Sequence, residues 1–568
     1  MRALPFEPSR ARAVHRASSR SAFRLGAWRL PNRQEFICMQ FDRTSRARAS
    51  VANVAGQRVL NIAVCAALAF ALAGCAVGPD YKRPSVDIPA SYKEAADGWK
   101  VAQPADQQDR GAWWVIYNDP QLSALEDKLN ASNQTVAQFA AAYRQARALV
   151  GEARAAYFPV ISAGASASRS RTPSRSFSGS VTGGGGGTTS SLSSSGTISN
   201  SYSLSLDATW EPDLWGKVSR TVASQQAGQQ AAAADLANAR LSAQATLAQT
   251  YFNIRSLDAQ QKLLDDTVAA YQRSLTLTQN RYAQGVAARS DVIQAQTQLQ
   301  SAQAAAIDNG VARAQNEHAI AVLVGEPASA FSLPPAPLDA VPPATPAQLP
   351  SALLERRPDI ASAERKAAAA NEQIGVAISA FFPTLTLSAS GGFESSVFSQ
   401  LLQMPSRFWT LGPSLAQTIF DAGLRKAQTD AARAAYDQDV ATYRLAVLTA
   451  FQDVEDNLAS LRILEQEVTV QEQAVQSAQQ ALEIVTNQYK SGTVDYLNVL
   501  TAQTTAFTAE QKLASIAGQR MVSSVGLVKA LGGGWEVDQM NRETGDVAAP
   551  APASAPVAPV AKTSTSAG

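Results

Sequence analysis

The sequence predicts an internally duplicated chain that combines long α-helices with four strands of a membrane β-barrel. Three observations predict this fold. A short Tyr-x-x-Gly turn occurs twice, at Gly285 and Gly492, which are 207 positions apart (492 − 285). Segments of period-two polarity also occur twice. Each is followed by a helical pattern about 70 residues long, whose apolar residues are mostly three, four or seven apart. A shared shift over this distance indicates an internal duplication.

Residues 1–74 are interpreted as a leader and are excluded from the fold. The part before Val59 contains 12 Arg and three acidic residues, and an apolar stretch to Ala73 follows it. This pattern is typical of a secretory signal, and the apolar stretch is too short to span a bilayer as a helix. Residues 1–38 are long and irregular for such a signal, so Met39 is a second candidate translation start.

The leader ends in Leu-Ala-Gly-Cys75, which resembles a bacterial lipobox. In that class of signal, cleavage leaves the Cys as the new N-terminus, carrying a diacylglycerol thioether and an N-acyl chain. The alternative is an ordinary small-residue cleavage site with an incidental Cys. Ala76 follows, and the absence of Asp at this position is compatible with sorting to the outer membrane.

Composition argues against several kinds of site. The net charge is +2, and the Arg-rich part belongs to the leader, so we expect no nucleic-acid partner. No Cys lies beyond position 75, and His318 is the only His after the leader. We therefore expect no disulfide framework, no metal site built from Cys, His and Met, no enzyme activity, and no cofactor besides the covalent lipid. This composition does not exclude a metal site built from Asp and Glu.

Residues 75–120 are predicted to form an extended arm. The aromatic cluster at the end of this arm is interpreted as packing rather than as a binding site. The first repeat, residues 121–326, contains a helix, two strands, a long helix, a tip and a further helix. Asp119-Pro120 starts the first helix, which is expected to continue to about Ala156. Strands are predicted after Pro159 and over Tyr202 to Trp210, with a Ser/Gly-rich loop between them.

The second repeat, residues 351–535, has the same order of elements. Its first helix ends at Phe382-Pro383, 224 positions after the corresponding boundary (383 − 159), and strands are predicted after it and around Trp409 to Ile419. Residues 327–350 are rich in Pro and are predicted to form a linker between the repeats. Residues 536–568 predict a disordered Ala/Pro tail.

The predicted strands fit the wall of a membrane barrel, with apolar residues facing lipid and Ser and Thr facing water. Four strands cannot close a barrel, because known membrane barrels begin at about eight, and a bilayer tolerates no open sheet edge. Two chains would give eight strands and a filled interior, whereas three would give twelve and a water-filled lumen. The Ala- and Gln-rich helices do not suit lipid and would extend the wall into the aqueous compartment.

In this order, the motifs resemble the TolC-like outer-membrane factors of tripartite (RND-type) efflux systems, in particular the lipoprotein branch called the NodT family. The resemblance covers about residues 75–535. It is carried by the lipobox, the Gly-Pro-Asp-Tyr81 segment, the Trp113-Trp114 cluster, an Arg-Pro-Asp-Ile360 segment, the paired Phe-Pro boundaries and the two tips. It implies a homotrimer in which twelve strands form a barrel above an α-helical tunnel, located in the outer membrane with a long periplasmic extension.

The resemblance also implies the function: export of small molecules such as drugs, with a periplasmic adaptor protein, an inner-membrane RND-type pump and outer-membrane lipid as partners. Two alternatives stay open. The channel of a type I protein secretion system has the same outer architecture. A lipid-anchored periplasmic coiled-coil adaptor would account for the helices but not for the four strands.

Within the resemblance, the two tips correspond to the periplasmic gate and the adaptor-docking surface. Tyr282 and Tyr489 match the gate tyrosines, and Asp291 matches an acidic residue of the family. The glycines of the two turns are suited to the left-handed backbone that commonly ends a helix.

The second tip departs from the family pattern. Asn498 and Thr501 stand where relatives often place acids, so Asp495 is expected to substitute for them in part. The alternative interpretation is that Ser290, Asp291 and Asp495 only cap the helices that follow the turns.

The lipobox gives a direct prediction. Intact-mass analysis of the mature protein should show a chain that begins at Cys75 and carries added acyl mass, since several acyl chains together anchor a protein stably to a membrane. A Cys75→Ser variant is the control and should lack the acyl mass. An unmodified N-terminus at another position in the wild-type protein would refute lipidation.

Overall fold

The fold is described from a computed structural model that covers residues 77–87, 92–94, 112–171, 175–177, 192–194, 198–338, 340–343 and 356–534. The predicted leader with Cys75, the middle of the Ser/Gly-rich loop, part of the Pro-rich linker and the predicted tail lie outside the described residues.

Long α-helices make up most of the described chain. Their bounds are α1 (Pro120–Ser132), α2 (Gln134–Ala155), α3 (Lys217–Ala283), α4 (Arg289–Leu323), α5 (Pro358–Ser379), α6 (Leu424–Ser491) and α7 (Tyr496–Ala530). The two longest, α3 and α6, have 67 and 68 residues, which corresponds to about 100 Å each. Among the described residues, none of these helices has a stretch that is both long enough and apolar enough to cross a membrane.

The helix predicted from Asp119 to about Ala156 is in fact two helices. Asp119 caps α1, because its Oδ1 accepts hydrogen bonds from the backbone N–H groups of Gln121 and Leu122. Asn133 has an extended backbone (φ −65°, ψ 122°), and its Oδ1 accepts a hydrogen bond from Val136 N at 2.9 Å. This side-chain cap starts α2 and separates it from α1, so the prediction of one continuous helix was wrong.

In the part of the chain that the structure describes, six strands form two antiparallel sheets. They are β1 (Val160–Arg171), β2 (Arg175–Phe177), β3 (Leu192–Ser194), β4 (Ile198–Trp210), β5 (Thr384–Ser395) and β6 (Arg407–Ala416). The main sheet has the order β1-β4-β5-β6, and β2 pairs with β3. The strand predicted around Trp409 to Ile419 therefore starts and ends earlier than expected. The pairing of β4 with β5 joins the two repeats, and β1 and β6 are the edges of the sheet.

The helices repeat with the same shift as the tip sequences. Helix α6 begins 207 positions after α3 (424 − 217), and α7 begins 207 positions after α4 (496 − 289). Within the protomer α3 packs against α4 and α7, and α6 packs against α7. The predicted duplication is therefore present in the helices themselves.

The largest apolar core lies in the middle of the helical part. The predicted aromatic cluster belongs to it, because Trp113, Trp114 and Tyr117 are buried against residues of α1, α3 and α7. The polar ends of these rings are satisfied: Trp113 Nε1 donates to Gln244 Oε1 at 3.2 Å, and Tyr117 Oη lies 3.1 Å from Ser524 Oγ. The interpretation of this cluster as packing is confirmed.

The segment that follows the lipobox is fixed to both repeats. Val77 N donates to the carbonyl of Trp215, and Tyr81 Oη donates to Glu364 Oε1 at 2.6 Å. Gly78 has φ +113°, and a Cβ at this position would lie 2.7 Å from the Cα of Gly375. Only glycine fits this approach, so the arm is held where the strands meet the helices.

One buried residue of α1 has an unusual protonation state. Glu126 has no exposed surface, and within the described part of the chain neither of its carboxylate oxygens has a hydrogen-bond partner. Burial, with a smaller effect of Asp127, raises the pKa of Glu126 from its ordinary value of 4.5 to about 9. The side chain is therefore neutral at pH 7.

This pKa makes the stability of the fold depend on pH. The folded state keeps the proton that the unfolded state loses above pH 4.5, so unfolding releases a proton and stability falls as pH rises from 4.5 towards 9. The slope due to Glu126 is at most about 1.4 kcal/mol per pH unit. Thermal unfolding of the purified protein should show a lower melting temperature at pH 8 than at pH 5.

The Glu126→Gln variant should lose most of this dependence because it cannot ionise. Glu152→Gln, the same substitution on the exposed face of α2, is the matched control and should keep the wild-type slope. Equal slopes for all three proteins would show that Glu126 is not the source.

Candidate functional site

The two predicted tips are helix-turn-helix elements with the same backbone structure. Gly285 (φ +71°) separates α3 from α4, and Gly492 (φ +83°) separates α6 from α7. In each turn the glycine N–H donates to the carbonyl three residues back, at Tyr282 and Tyr489, and the following N–H donates to the carbonyl five residues back. This pair of bonds is a Schellman motif, which requires a left-handed residue where each glycine lies.

Side chains from both tips form one small apolar cluster. Its buried members come from all four helices: Tyr271, Leu275, Ala295, Leu299, Ala302, Tyr489, Tyr496 and Val499. The rings of Tyr489 and Tyr496 meet edge to face, with centroids 5.5 Å apart. Burial is the main cause that raises the pKa of Tyr496 above its ordinary value. The cluster packs the tip of the first repeat against the tip of the second.

Arg281 connects the two tips most directly. Its Nη1 donates to the carbonyl oxygens of Tyr489 and Lys490, both at 2.9 Å, and its Cζ lies 4.6 Å from the centroid of the Tyr489 ring. These carbonyls belong to the last turn of α6, which carries the negative end of the helix dipole. A guanidinium at this position binds carbonyls and ring at once.

The corresponding tyrosines of the two tips have different surroundings. Tyr489 is only 4% exposed, whereas Tyr282 is 48% exposed. Position 488, which corresponds to Arg281, is occupied by Gln. In the described residues of one protomer, therefore, the guanidinium contact exists for Tyr489 and has no counterpart at Tyr282.

The predicted acidic residues lie near the start of the helices that follow the turns. Asp291 is in the first turn of α4 and accepts a hydrogen bond from Ser290 Oγ at 3.2 Å, while Ala288 occupies the N-cap. Asp495 is exposed at the N-cap of α7, and its side chain makes no capping bond. Asn498 is exposed one turn further on. The interpretation of Ser290, Asp291 and Asp495 as side-chain caps is not supported.

No hydrogen bond joins Tyr282 or Tyr489 to a carboxylate within the described part of one protomer, and the hydroxyl of Tyr489 is buried without a partner there. The tyrosine is held through its ring and its backbone carbonyl instead. Four residues of this site were not predicted from the sequence: Arg281, Tyr496, Ser274 and Gln298. Ser274 Oγ lies 3.3 Å from Tyr496 Oη, and Gln298 Nε2 donates to Tyr271 Oη at 3.2 Å. Of the four residues, only Arg281 had a local signal, since it directly precedes the first tip tyrosine and differs from its counterpart in the second repeat.

The described residues contain no group of His, Cys, Asp and Glu side chains arranged to hold a metal ion. The tips bring together apolar, aromatic and hydrogen-bonding groups at the free end of a long helical assembly. Such an arrangement can hold helix ends together or release them, and it brings no set of reacting groups together.

Comparison with known proteins shows which family the chain resembles. The profile of the family described as "Outer membrane efflux protein" matches residues 125–326 and 349–533. The "Toluene efflux pump outer membrane protein TtgC" of Pseudomonas putida is 32% identical over 486 residues, which cover 84% of this chain and 97% of that protein. The "Pyoverdine export outer membrane protein OpmQ" of Pseudomonas aeruginosa is 32% identical over 452 residues, 78% of this chain and 92% of the relative.

Among solved structures, the outer-membrane channel OprN is similar to this chain with a TM-score of 0.72 and 28% sequence identity. The match covers 81% of this chain and 100% of the OprN chain. The predicted fold class, efflux function and outer-membrane location are confirmed by these similarities. The chain belongs to the outer membrane efflux protein family and is an outer-membrane channel subunit of an efflux pump.

Proposed function

We propose that three copies of this chain form a closed channel that exports small organic molecules, with its periplasmic end held shut by the two tips of each protomer. The observation that carries the proposal is the main sheet, which has polar and apolar faces but two unpaired edges, β1 and β6. A bilayer tolerates no such edges, so β6 of one protomer pairs with β1 of the next. Three copies give twelve strands and a water-filled lumen.

The helices support the same ring. In the duplication, α6 corresponds to α3 and α4 corresponds to α7. The packing of α3 against α7 within a protomer therefore implies an equivalent packing of α6 against α4. This equivalent packing is formed between neighbouring protomers in the proposed trimer. Both helices carry exposed apolar side chains that such a contact would bury: Ile293, Ile307, Val311 and Val322 on α4, and Leu445, Leu448, Ile463, Val470 and Ile484 on α6.

The proposed substrates are small organic molecules. Relatives are named for the efflux of toluene and the export of pyoverdine, both of which are small compared with a folded protein. In this proposal an adaptor protein docks on the tips and an inner-membrane RND-type pump supplies the energy. Lipid attached to Cys75 adds an anchor beside the barrel, because Val77, two residues after Cys75, donates a backbone hydrogen bond to Trp215.

Loss of efflux is the test of this function. Deleting the gene from the bacterium that encodes it should lower tolerance to toluene and to apolar antibiotics at least several-fold, and the full chain supplied in trans should restore it. An affinity-tagged chain should retain an adaptor and a pump after crosslinking. Unchanged tolerance together with loss of a secreted polypeptide would instead support a protein secretion channel.

The tip contacts give a second prediction. Arg281→Gln copies the residue found at position 488 and removes hydrogen bonds from a charged donor, each worth roughly 1.5–3 kcal/mol. In planar bilayers the open fraction of the channel should rise about tenfold or more, and Arg281→Lys should lie between wild type and Gln. Arg273→Gln, on the exposed side of α3, is the matched control and should behave as wild type.

The same recordings test the acidic residue predicted from sequence. If Asp291→Ala raises the open fraction, the acid takes part in closure across protomers. If only Arg281 variants respond, closure depends on the guanidinium contact. Crosslinking should give three chains for every variant, since Arg273 and Arg281 lie on α3 and the apolar side chains of the proposed α4–α6 contact remain when Asp291 is changed. Wild-type conductance in the Arg281→Gln variant would contradict the proposed lock.

A further inference from the structure

The charges of the main sheet are separated by face and by sign. On the polar face, the ionisable residues in the described strands are Asp207 and Glu394, which accept hydrogen bonds from Ser390 and Ser201. On the apolar face the charged residues are Arg169 and Arg171 of β1 and Arg407 of β6. The register places them there, because Arg407 is opposite Phe393, and Arg169 follows the row of Ile161, Ala163, Ala165 and Ala167.

All three arginines lie in the half of the sheet that is away from the helices, but they do not lie at one level. Arg171 is the last residue of β1, and Arg407 is the first residue of β6, which follows the β5–β6 loop. The opposite end of the apolar face is marked by Trp210, whose Nε1 donates to the carbonyl of Tyr157. Aromatic residues with a polar end of this kind typically lie at a membrane interface.

The height of the arginines can be estimated from the register. Arg169 is opposite Asn200, which is ten residues from Trp210 along β4 (210 − 200). Ten residues rise ~34 Å along a strand, and a barrel tilt of ~40° reduces this to ~26 Å along the membrane normal. The apolar band of outer-membrane barrels is ~25 Å tall. Arg169 therefore lies at the far headgroup level when Trp210 lies at the near one, and Arg171 lies two residues beyond Arg169. Arg407 is level with Leu204, only six residues from Trp210 (210 − 204), so it lies within the apolar band.

The arginines are exposed, and none forms an ion pair with an acidic side chain in the described part of the chain. Arginine buries its aliphatic stem on apolar surface while its guanidinium reaches the interface. A guanidinium binds phosphate oxygens through two parallel hydrogen bonds. At the level of Arg169 and Arg171, the groups that meet it are those of lipid heads.

We propose that Arg169 and Arg171 form a phosphate-binding rim for the phosphorylated glycolipid of the outer leaflet. The proposal rests on the trimeric barrel, since only a barrel in the membrane turns the apolar face to lipid. It assigns these residues a role separate from transport. The rim sets the depth of the barrel and binds the leaflet through its headgroups, in addition to the contact of the apolar band with acyl chains.

Lipid binding by the full chain in neutral detergent tests the rim without requiring a working channel. Purified lipid A with both phosphates is titrated and followed by native mass spectrometry, alongside lipid A stripped of phosphate and inorganic phosphate alone. Wild-type protein should prefer the phosphorylated lipid. The Arg169→Gln, Arg171→Gln double variant should bind it roughly thirtyfold more weakly, and the corresponding Lys double variant should stay within about tenfold of wild type.

The matched control removes the same charge elsewhere: Arg144→Gln and Arg147→Gln lie on the exposed face of α2 and should leave lipid A binding unchanged. Each single Gln substitution in the rim should weaken binding several-fold, which keeps the test usable if the double variant misfolds. Equal wild-type binding of the phosphorylated and stripped lipids would overturn the proposal, as would full binding by the Gln variants. Failure of the proposed channel would appear separately, as wild-type protein that forms no trimer or pore.

Discussion

The open edges of the main sheet are the constraint on which the rest of the structure depends. A strand edge in lipid leaves backbone N–H and C=O groups without partners, and no side chain within one protomer can satisfy a whole row of them. The chain therefore has a stable place in the membrane only as part of a closed ring. Duplication meets this constraint economically, because each repeat contributes a strand pair and a long helical pair in the same order.

Pseudo-symmetry explains why the two tips are alike in backbone yet different in side chains. The Schellman motifs at Gly285 and Gly492 are the same, since both turns must reverse a long helix. Their side chains face different neighbours: one tyrosine packs inside the protomer under Arg281, while the other lies on its surface. A ring that alternates two kinds of contact between tips can give them different roles. One contact stays closed inside the protomer, and the other forms between protomers.

Much of the fold could be predicted from the sequence, because its signals are local and repeated. Proline after two aromatic residues, polarity of period two and glycine at the tips each fix a boundary within a few residues. Other features depend on contacts across the fold. The break at Asn133 results from a single side-chain cap, the burial of Glu126 results from neighbouring helices, and Arg281 acts on residues 208 positions away (489 − 281). No periodicity encodes such contacts, so the tip site could be located but its main contact could not.

The order in which the strands are joined has a consequence for biogenesis. Strands β1 and β4 both belong to the first repeat, with only β2 and β3 between them, and can pair as soon as that repeat is made. Strand β4 can pair with β5 only after much more of the chain has been made, because Trp210 is opposite Leu387, 177 residues later (387 − 210). Closing so long a loop is slow, whereas the helical hairpins form from local contacts. The helices are thus expected to fold first, and the nascent subunit carries an incomplete, apolar sheet through the periplasm, where it needs protection from aggregation until its neighbours arrive.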